Sequence, residues 1–172
     1  TWVDNIVPPG GANIVIDNNV TLNQDATVSS VTISTGNTFT SEASLGRTLT
    51  VNNGGSFTNN GTFTANDGKV TFNGSGTVSG SGTGFFNDVD INGGVNFGSS
   101  SVDGTLTLLP NSFIDTNAPT YNTNSTLAYN TGGTFGAANE WPTGDADSPR
   151  NVTIIDSDVN FGGDGSARFI DG

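Results

Sequence analysis

Paired aspartates are the residues of this sequence whose types and spacing could support chemistry. Three pairs are separated by a single residue: Asp88 and Asp90, Asp145 and Asp147, and Asp156 and Asp158. Such a pair could act as general acid and base on a glycan or hold a calcium ion. A polysaccharide lyase would also need basic residues beside its acids, but the four bases are scattered: Arg47, Lys69, Arg150 and Arg168. We therefore predict no catalytic residues and interpret the aspartates as structural or solubilising.

Several residue types that carry enzyme chemistry are missing. The chain contains no histidine, no cysteine and no methionine. This excludes His-based triads, thiol nucleophiles, disulfides, zinc fingers and haem ligands. The segment 162–165 is typical of a calcium-binding turn, but the calcium-binding pattern does not recur along the chain. We therefore predict no metal site and no cofactor, and we predict that the protein is not an enzyme.

The charge balance limits the partners. Sixteen acidic residues against four basic ones give a net charge of −12, which disfavours nucleic acid and anionic membranes. No apolar run approaches the roughly 18 residues of a membrane span, so we predict no membrane insertion. The absence of cysteine and the excess of Asp, Asn, Thr and Gly over Lys and Glu favour an exported bacterial protein, either extracellular or on the cell surface.

A short apolar motif recurs through the chain. Two apolar residues flank one central residue, and the motif starts at positions 14, 31, 49, 70, 89, 106, 127 and 152. A second apolar position, such as Phe57 or Phe113, follows each motif, and a third follows less regularly. Within one motif, Val70 and Phe72 must point to one side and Thr71 to the other, as in a β-strand. Asn-Gly and Gly-Gly sequences between the strands permit sharp corners.

A period of about 19 residues predicts that equivalent strands stack on one another instead of forming hairpins. We therefore predict an all-β protein with one domain over residues 1–172, a single parallel β-solenoid of about eight three-sided coils. We expect right-handed coiling. The alternative is an antiparallel sandwich, but a sandwich has no reason to repeat the same tripeptide. Residues 1–13 are interpreted as an N-terminal cap or leading segment.

The longest coil contains an insertion at residues 137–150, and we expect this loop to project from the solenoid and to be a site of binding. Trp141 lies within it beside Pro142. Its indole could stack on a sugar ring, which makes it a possible glycan contact. The alternative, which we favour, is that Trp141 folds back and covers the flank of the solenoid.

Part of the sequence resembles a known class of surface proteins. The stretch 124–133, followed by Glu140-Trp141-Pro142 and by residues 151–154, resembles the β-helical repeat regions of large secreted surface proteins of Bacteroidetes-type bacteria. The run 68–76 is similar to the same regions and to autotransporter passenger domains. The resemblance is one of repeat style over nearly the whole chain. It implies an exported, adhesin-like β-solenoid and assigns no catalytic residues.

The two ends of the solenoid suggest assembly. Terminal coils expose strand edges and an apolar cross-section, and the chain carries apolar residues near both ends: Trp2, Val3, Phe169 and Ile170. We expect these residues to contact another copy end to end, or further repeats of a longer chain. The function predicted from sequence is an extracellular structural protein, a subunit of a self-assembling filament or an adhesin stalk. The alternative is a glycan-binding module or a polysaccharide-active β-helix domain with surface glycans as partners.

Overall fold

The structure, a computed structural model, describes residues 8–142 and 147–161 as short parallel strands stacked into a β-solenoid. Every strand pairing between these residues is parallel and joins one coil to the next. The longest sheet has seven strands, so the solenoid has about seven turns, close to the eight predicted. The described residues contain no α-helix. The predicted all-β parallel solenoid is therefore confirmed.

Three sheets form the sides of the solenoid, and their strands are numbered along the chain. Sheet 1 contains β1 (Asn13–Ile16), β4 (Ser30–Ile33), β7 (Gly55–Asn59), β10 (Gly76–Ser79), β12 (Gly94–Asn96) and β15 (Phe113–Ile114). Sheet 2 contains β2 (Val20–Leu22), β5 (Thr38–Ser41) and β8 (Thr62–Thr64), and the pair β13 (Ser101–Val102) and β16 (Thr120–Tyr121) continues this side. Sheet 3 contains β3 (Ala26–Val28), β6 (Thr48–Asn52), β9 (Lys69–Asn73), β11 (Asp88–Ile91), β14 (Thr105–Leu108), β17 (Thr126–Tyr129) and β19 (Asn151–Ile154). A separate pair is formed by β18 (Gly133–Gly136) and β20 (Ser157–Asn160).

Alternation along each strand builds the core. In β9, Val70 and Phe72 are buried, whereas Lys69 and Thr71 face outward. The same alternation in the neighbouring strands stacks apolar side chains into continuous interior rows. Each fully buried Val, Leu, Ile or Phe stabilises the fold by about 1.5–3 kcal/mol relative to exposure. A few inward residues per coil therefore suffice, although only 32% of the chain is hydrophobic.

The first two apolar tripeptides do not stack on the later ones, which corrects the expectation that all eight are equivalent. Val31 pairs with Phe57 in sheet 1, whereas Leu49 pairs with Ala26 in sheet 3. All three sides demand the same alternation, so the tripeptide does not identify a side. Strand β3 carries the small Ala26 and strand β7 begins with glycine, so neither shows the apolar tripeptide clearly. The sequence pattern therefore did not reveal which strands share a side of the solenoid.

Phe113 was predicted as an inward position, and the structure corrects this. Its neighbour Ile114 is buried and pairs with Val95, while Phe113 is 50% exposed on the outer face of sheet 1. Ile114 meets the packing requirement of that coil, so the phenylalanine is left outside. Core packing therefore does not account for this exposed aromatic side chain.

Glycines allow neighbouring coils to approach closely. Gly80 has a φ of +110°, and a Cβ at this position would lie 2.0 Å from the backbone oxygen of Asn59. Gly55, in β7, has ordinary backbone geometry, but a Cβ there would lie 1.9 Å from the backbone oxygen of Ser29. The backbone of one coil thus occupies the space that a side chain of the next would need.

Alanine substitutions at two strand glycines test this packing. Gly55→Ala should destabilise the fold by about 1–3 kcal/mol or more, because the new methyl group collides with rigid backbone. Gly133→Ala is the matched control, since a Cβ at Gly133 has no atom within 4 Å; its effect should stay within about 0.5 kcal/mol. Urea unfolding followed by circular dichroism measures both, and equal effects would contradict the close approach.

Candidate functional site

The insertion at residues 137–150 folds inward over the part that the structure describes, which corrects the expectation that it projects. Residues 137–142 follow β18, and both Glu140 and Trp141 are buried, with 1% and 5% of their surface exposed. They lie against Tyr121 from β16 and Tyr129 from β17. The interior at this level of the solenoid therefore contains a polar and aromatic cluster, which we call the Glu140 cluster: Tyr121, Tyr129, Glu140 and Trp141.

Hydrogen bonds connect every member of the Glu140 cluster. The Tyr129 hydroxyl donates to Oε1 of Glu140 at 2.9 Å and accepts from Nε1 of Trp141 at 2.6 Å. The Tyr121 hydroxyl donates to the backbone oxygen of Glu140 at 2.9 Å. The backbone N–H of Ala138 donates to both carboxylate oxygens at 3.0 Å. Because burying these polar atoms without partners would be costly, this geometry fixes residues 138–141 in one position.

Burial controls the acidity of the two tyrosines. Desolvation is the larger cause that raises the pKa of Tyr121 well above its usual value, and the negative charge of Glu140 adds to the rise. The pKa of Tyr129 is raised for the same two reasons, in the same order, and its hydrogen bond to Glu140 raises it further. Both phenols therefore stay protonated and act as hydrogen-bond donors. The arrangement supports a structural connection between the loop and the solenoid.

Trp141, the possible glycan contact, does not present an open ring to solvent. Its indole N–H is bonded to Tyr129, and its ring lies 5.9 Å from that of Phe161 in an edge-on arrangement. The sequence offered one signal for this cluster. The chain has only two tyrosines, both at inward positions, and a buried tyrosine hydroxyl requires a polar partner.

The two aspartates on β11 face outward, and each carboxylate accepts a hydrogen bond from a residue of a neighbouring coil. Oδ1 of Asp88 accepts the backbone N–H of Thr105 at 2.8 Å, and Oδ2 of Asp90 accepts from Nζ of Lys69 at 2.8 Å. Thr105 belongs to the following coil and Lys69 to the preceding one. These carboxylates therefore connect adjacent coils of sheet 3.

Of the other two aspartate pairs, the structure describes Asp156, Asp158 and Asp147. Asp156 and Asp158 are exposed beside Gly132 and Gly133, whereas Asp147 is exposed and Asp145 lies outside the described residues. Within residues 8–142 and 147–161, no three Asp or Glu side chains come together in a way that could hold a metal ion. The segment 162–165 also lies outside the described residues.

The predicted assembly residues fall outside the part of the chain that the structure describes: Trp2, Val3, Phe169 and Ile170. Of the leading segment 1–13, residues 8–13 are described, and β1 begins at Asn13. The contribution of these four side chains to assembly therefore stays a prediction.

Comparison of the chain with known protein families, curated proteins and solved structures found no match. In the described ranges, no helix is long and apolar enough to cross a membrane.

An alkaline titration tests the Glu140 cluster, because Tyr121 and Tyr129 are the only tyrosines. Their folded pKa values lie above the unfolded value of about 10. The unfolded chain thus releases these protons at lower pH, and stability should fall as the pH rises past about 10. Tyrosinate absorbance should appear only together with unfolding, as followed by circular dichroism. Tyr121→Phe should leave a single tyrosinate with the same behaviour. Gradual ionisation near pH 10 without loss of structure would contradict burial.

Proposed function

We propose that the protein is an extracellular structural protein of a bacterium, serving as a filament subunit or a segment of an adhesin stalk. The observation that carries this proposal is the last described turn of sheet 3. Tyr129 in β17 is fully buried, whereas its register partner Ile154 in β19 is 48% exposed. Within the described residues this apolar row ends half open, which supports the stacking of a further turn upon it.

The strand edges support the same conclusion. Among the described strands, sheet 3 has β3 at one edge and β19 at the other. In a parallel solenoid the groups left unpaired at one edge are complementary to those at the opposite edge of a second solenoid. Contact of this kind runs head to tail and propagates because it does not close on itself. The next turn then comes from another copy or from further repeats of the same polypeptide.

The distribution of charge favours thin rods over bundles. The net charge of −12 makes copies repel one another when they lie side by side. By contrast, the exposed residues of the last described turn include the apolar side chains Ile154 and Ile155. End contacts are therefore favoured over lateral ones, and salt, which screens the repulsion, promotes bundling.

The extracellular location rests on composition and on resemblance. The chain lacks cysteine and is poor in lysine, and its repeats resemble those of secreted bacterial surface proteins. The same composition argues against nucleic acid as a partner. A glycan-binding role through Trp141 is less favoured, since its indole lies inside the Glu140 cluster.

Sedimentation velocity over a wide concentration range tests end-to-end stacking. The wild-type chain should form larger species as its concentration rises, and electron microscopy should reveal thin rods of increasing length. Ile154→Asp should prevent this growth, because stacking would bury an unpaired charge. Leu45→Asp is the matched control, since Leu45 is 54% exposed at a corner after β5, a strand that is paired on both sides by β2 and β8. A wild-type chain that stays monomeric at high concentration, or equal growth of both variants, would contradict self-stacking.

We further propose that the protein has no catalytic activity. The carboxylates of β11 support this, because they face outward and are already hydrogen-bonded to residues of the neighbouring coils. Incubation with acidic and neutral polysaccharides should release no new reducing ends and no unsaturated sugars. Reproducible release that disappears in Asp88→Asn or Asp156→Asn would establish a polysaccharide-active domain instead.

A further inference from the structure

The outer face of sheet 1 carries an open groove of about 290 Å³. Phe113 forms one end of it, and Ser75, Thr77 and Asp115 are among the residues beside it. The tip of the Phe113 ring lies 2.5 Å from the position that a Cβ of Gly94 would occupy, so the glycine leaves room for the ring over the strand. Half of the side chain nevertheless remains exposed. The groove thus combines an exposed aromatic ring with two hydroxyls and one carboxylate.

A second exposed aromatic, Phe85, lies beyond the end of β10. Phe85 is 45% exposed and lines a smaller hollow of about 50 Å³ together with Ser79 and Gly80, and the buried side chains of Phe57, Phe63 and Phe86 form part of its wall. The first groove includes Ser75, at the start of the same strand, so β10 runs from one hollow to the other. At about 3.3 Å per residue, the path from Ser75 to Gly80 is about 17 Å long.

Polar groups of one chemical type line this path. Ser75, Thr77 and Ser79 are three alternate residues of β10 or its leading edge, and all three are exposed. The Ser79 hydroxyl lies 3.2 Å from that of Thr58 in β7, so a row of hydroxyls continues onto the preceding coil. Hydroxyls both donate and accept hydrogen bonds, and the carboxylate of Asp115 accepts them.

Charge selects among possible ligands. No arginine or lysine is among the residues lining either hollow, and Asp115 together with the net charge of −12 repels anions. An acidic polysaccharide or a nucleic acid would therefore be excluded. A neutral sugar matches both features, because its apolar ring face can lie on an aromatic ring while its hydroxyls bond to polar side chains.

We propose that the outer face of sheet 1 along β10, from the exposed ring of Phe113 in β15 to that of Phe85 beyond the end of β10, is a binding site for an uncharged polysaccharide. The two rings hold sugar units at the ends of the site, and the hydroxyls of Ser75, Thr77 and Ser79 orient the chain between them. The site is on the side of the solenoid and does not include β3 or β19, the edge strands of sheet 3 on which the stacking proposal rests. It therefore goes beyond the structural role and does not depend on it.

Affinity electrophoresis through gels containing soluble xylan, mannan or hydroxyethyl cellulose tests the site. At least one of these neutral polymers should retard the wild-type chain, whereas polygalacturonate should not. Phe113→Ala and Phe85→Ala should each weaken binding by roughly tenfold, since each removes one stacking ring. Leu45→Ala is the matched control, because Leu45 is an apolar residue 54% exposed that lines neither hollow. Circular dichroism checks that all variants remain folded.

Several results would overturn the proposal. Absence of retardation in all three neutral gels would do so, as would retardation that Phe113→Ala and Phe85→Ala leave unchanged. Retardation by polygalacturonate alone would indicate an anionic ligand and would also be incompatible with it. Ile154→Asp, run in the same gels, should bind like the wild type, which separates this lateral site from end-to-end stacking.

Discussion

The parallel hydrogen-bond ladder between coils is the constraint on which the rest of this structure depends. A strand such as β9 finds its backbone partners in β6 and β11, the strands of the coils before and after it, and never in its sequence neighbours. Buried backbone groups must be paired, so the strands have to keep register even where coil length changes. Variation is confined to the corners. Insertions such as residues 137–150 therefore leave the register of β17 on β19 intact.

The same constraint explains an unusual composition. Coils separated by one strand spacing of about 4.8 Å leave little room at the corners, and glycines such as Gly80 and Gly84 lie against the backbone of the preceding coil. The interior is narrow, so a few apolar residues per coil fill it. Phe57, Phe63 and Phe86 form one such packed group, with ring centroids 5.0–5.5 Å apart. Low overall hydrophobicity and a tightly packed core are thus compatible.

The fold class could be predicted from sequence because alternation and corner residues are local signals. The side on which the apolar tripeptides of the first two coils lie could not be predicted. Val31 and Leu49 satisfy the same alternation although they lie on different sides of the solenoid. For the insertion, the sequence favoured a Trp141 that folds back, but it did not predict the bonding of residues 138–141 to the interior. That bonding includes hydrogen bonds between Glu140 and tyrosines 11 and 19 residues away in the chain. For Phe113, the neighbouring Ile114 was an equally good inward candidate, and only packing in three dimensions separates the two.

The Glu140 cluster resolves an ambiguity that is inherent in a repetitive ladder. Interior rows of Val, Ile, Leu and Phe resemble one another from coil to coil, so a coil that slipped by one repeat would still bury apolar surface. A buried carboxylate bonded to Tyr129 and a tryptophan N–H bonded to the same hydroxyl have partners in one arrangement only. Any slip would leave these polar groups buried and unpaired, at a cost of about 1–3 kcal/mol each. We infer that this cluster fixes the register of the last coils, because it raises the free energy of every slipped register. Apolar stacking alone cannot do this, since slipped apolar rows remain buried.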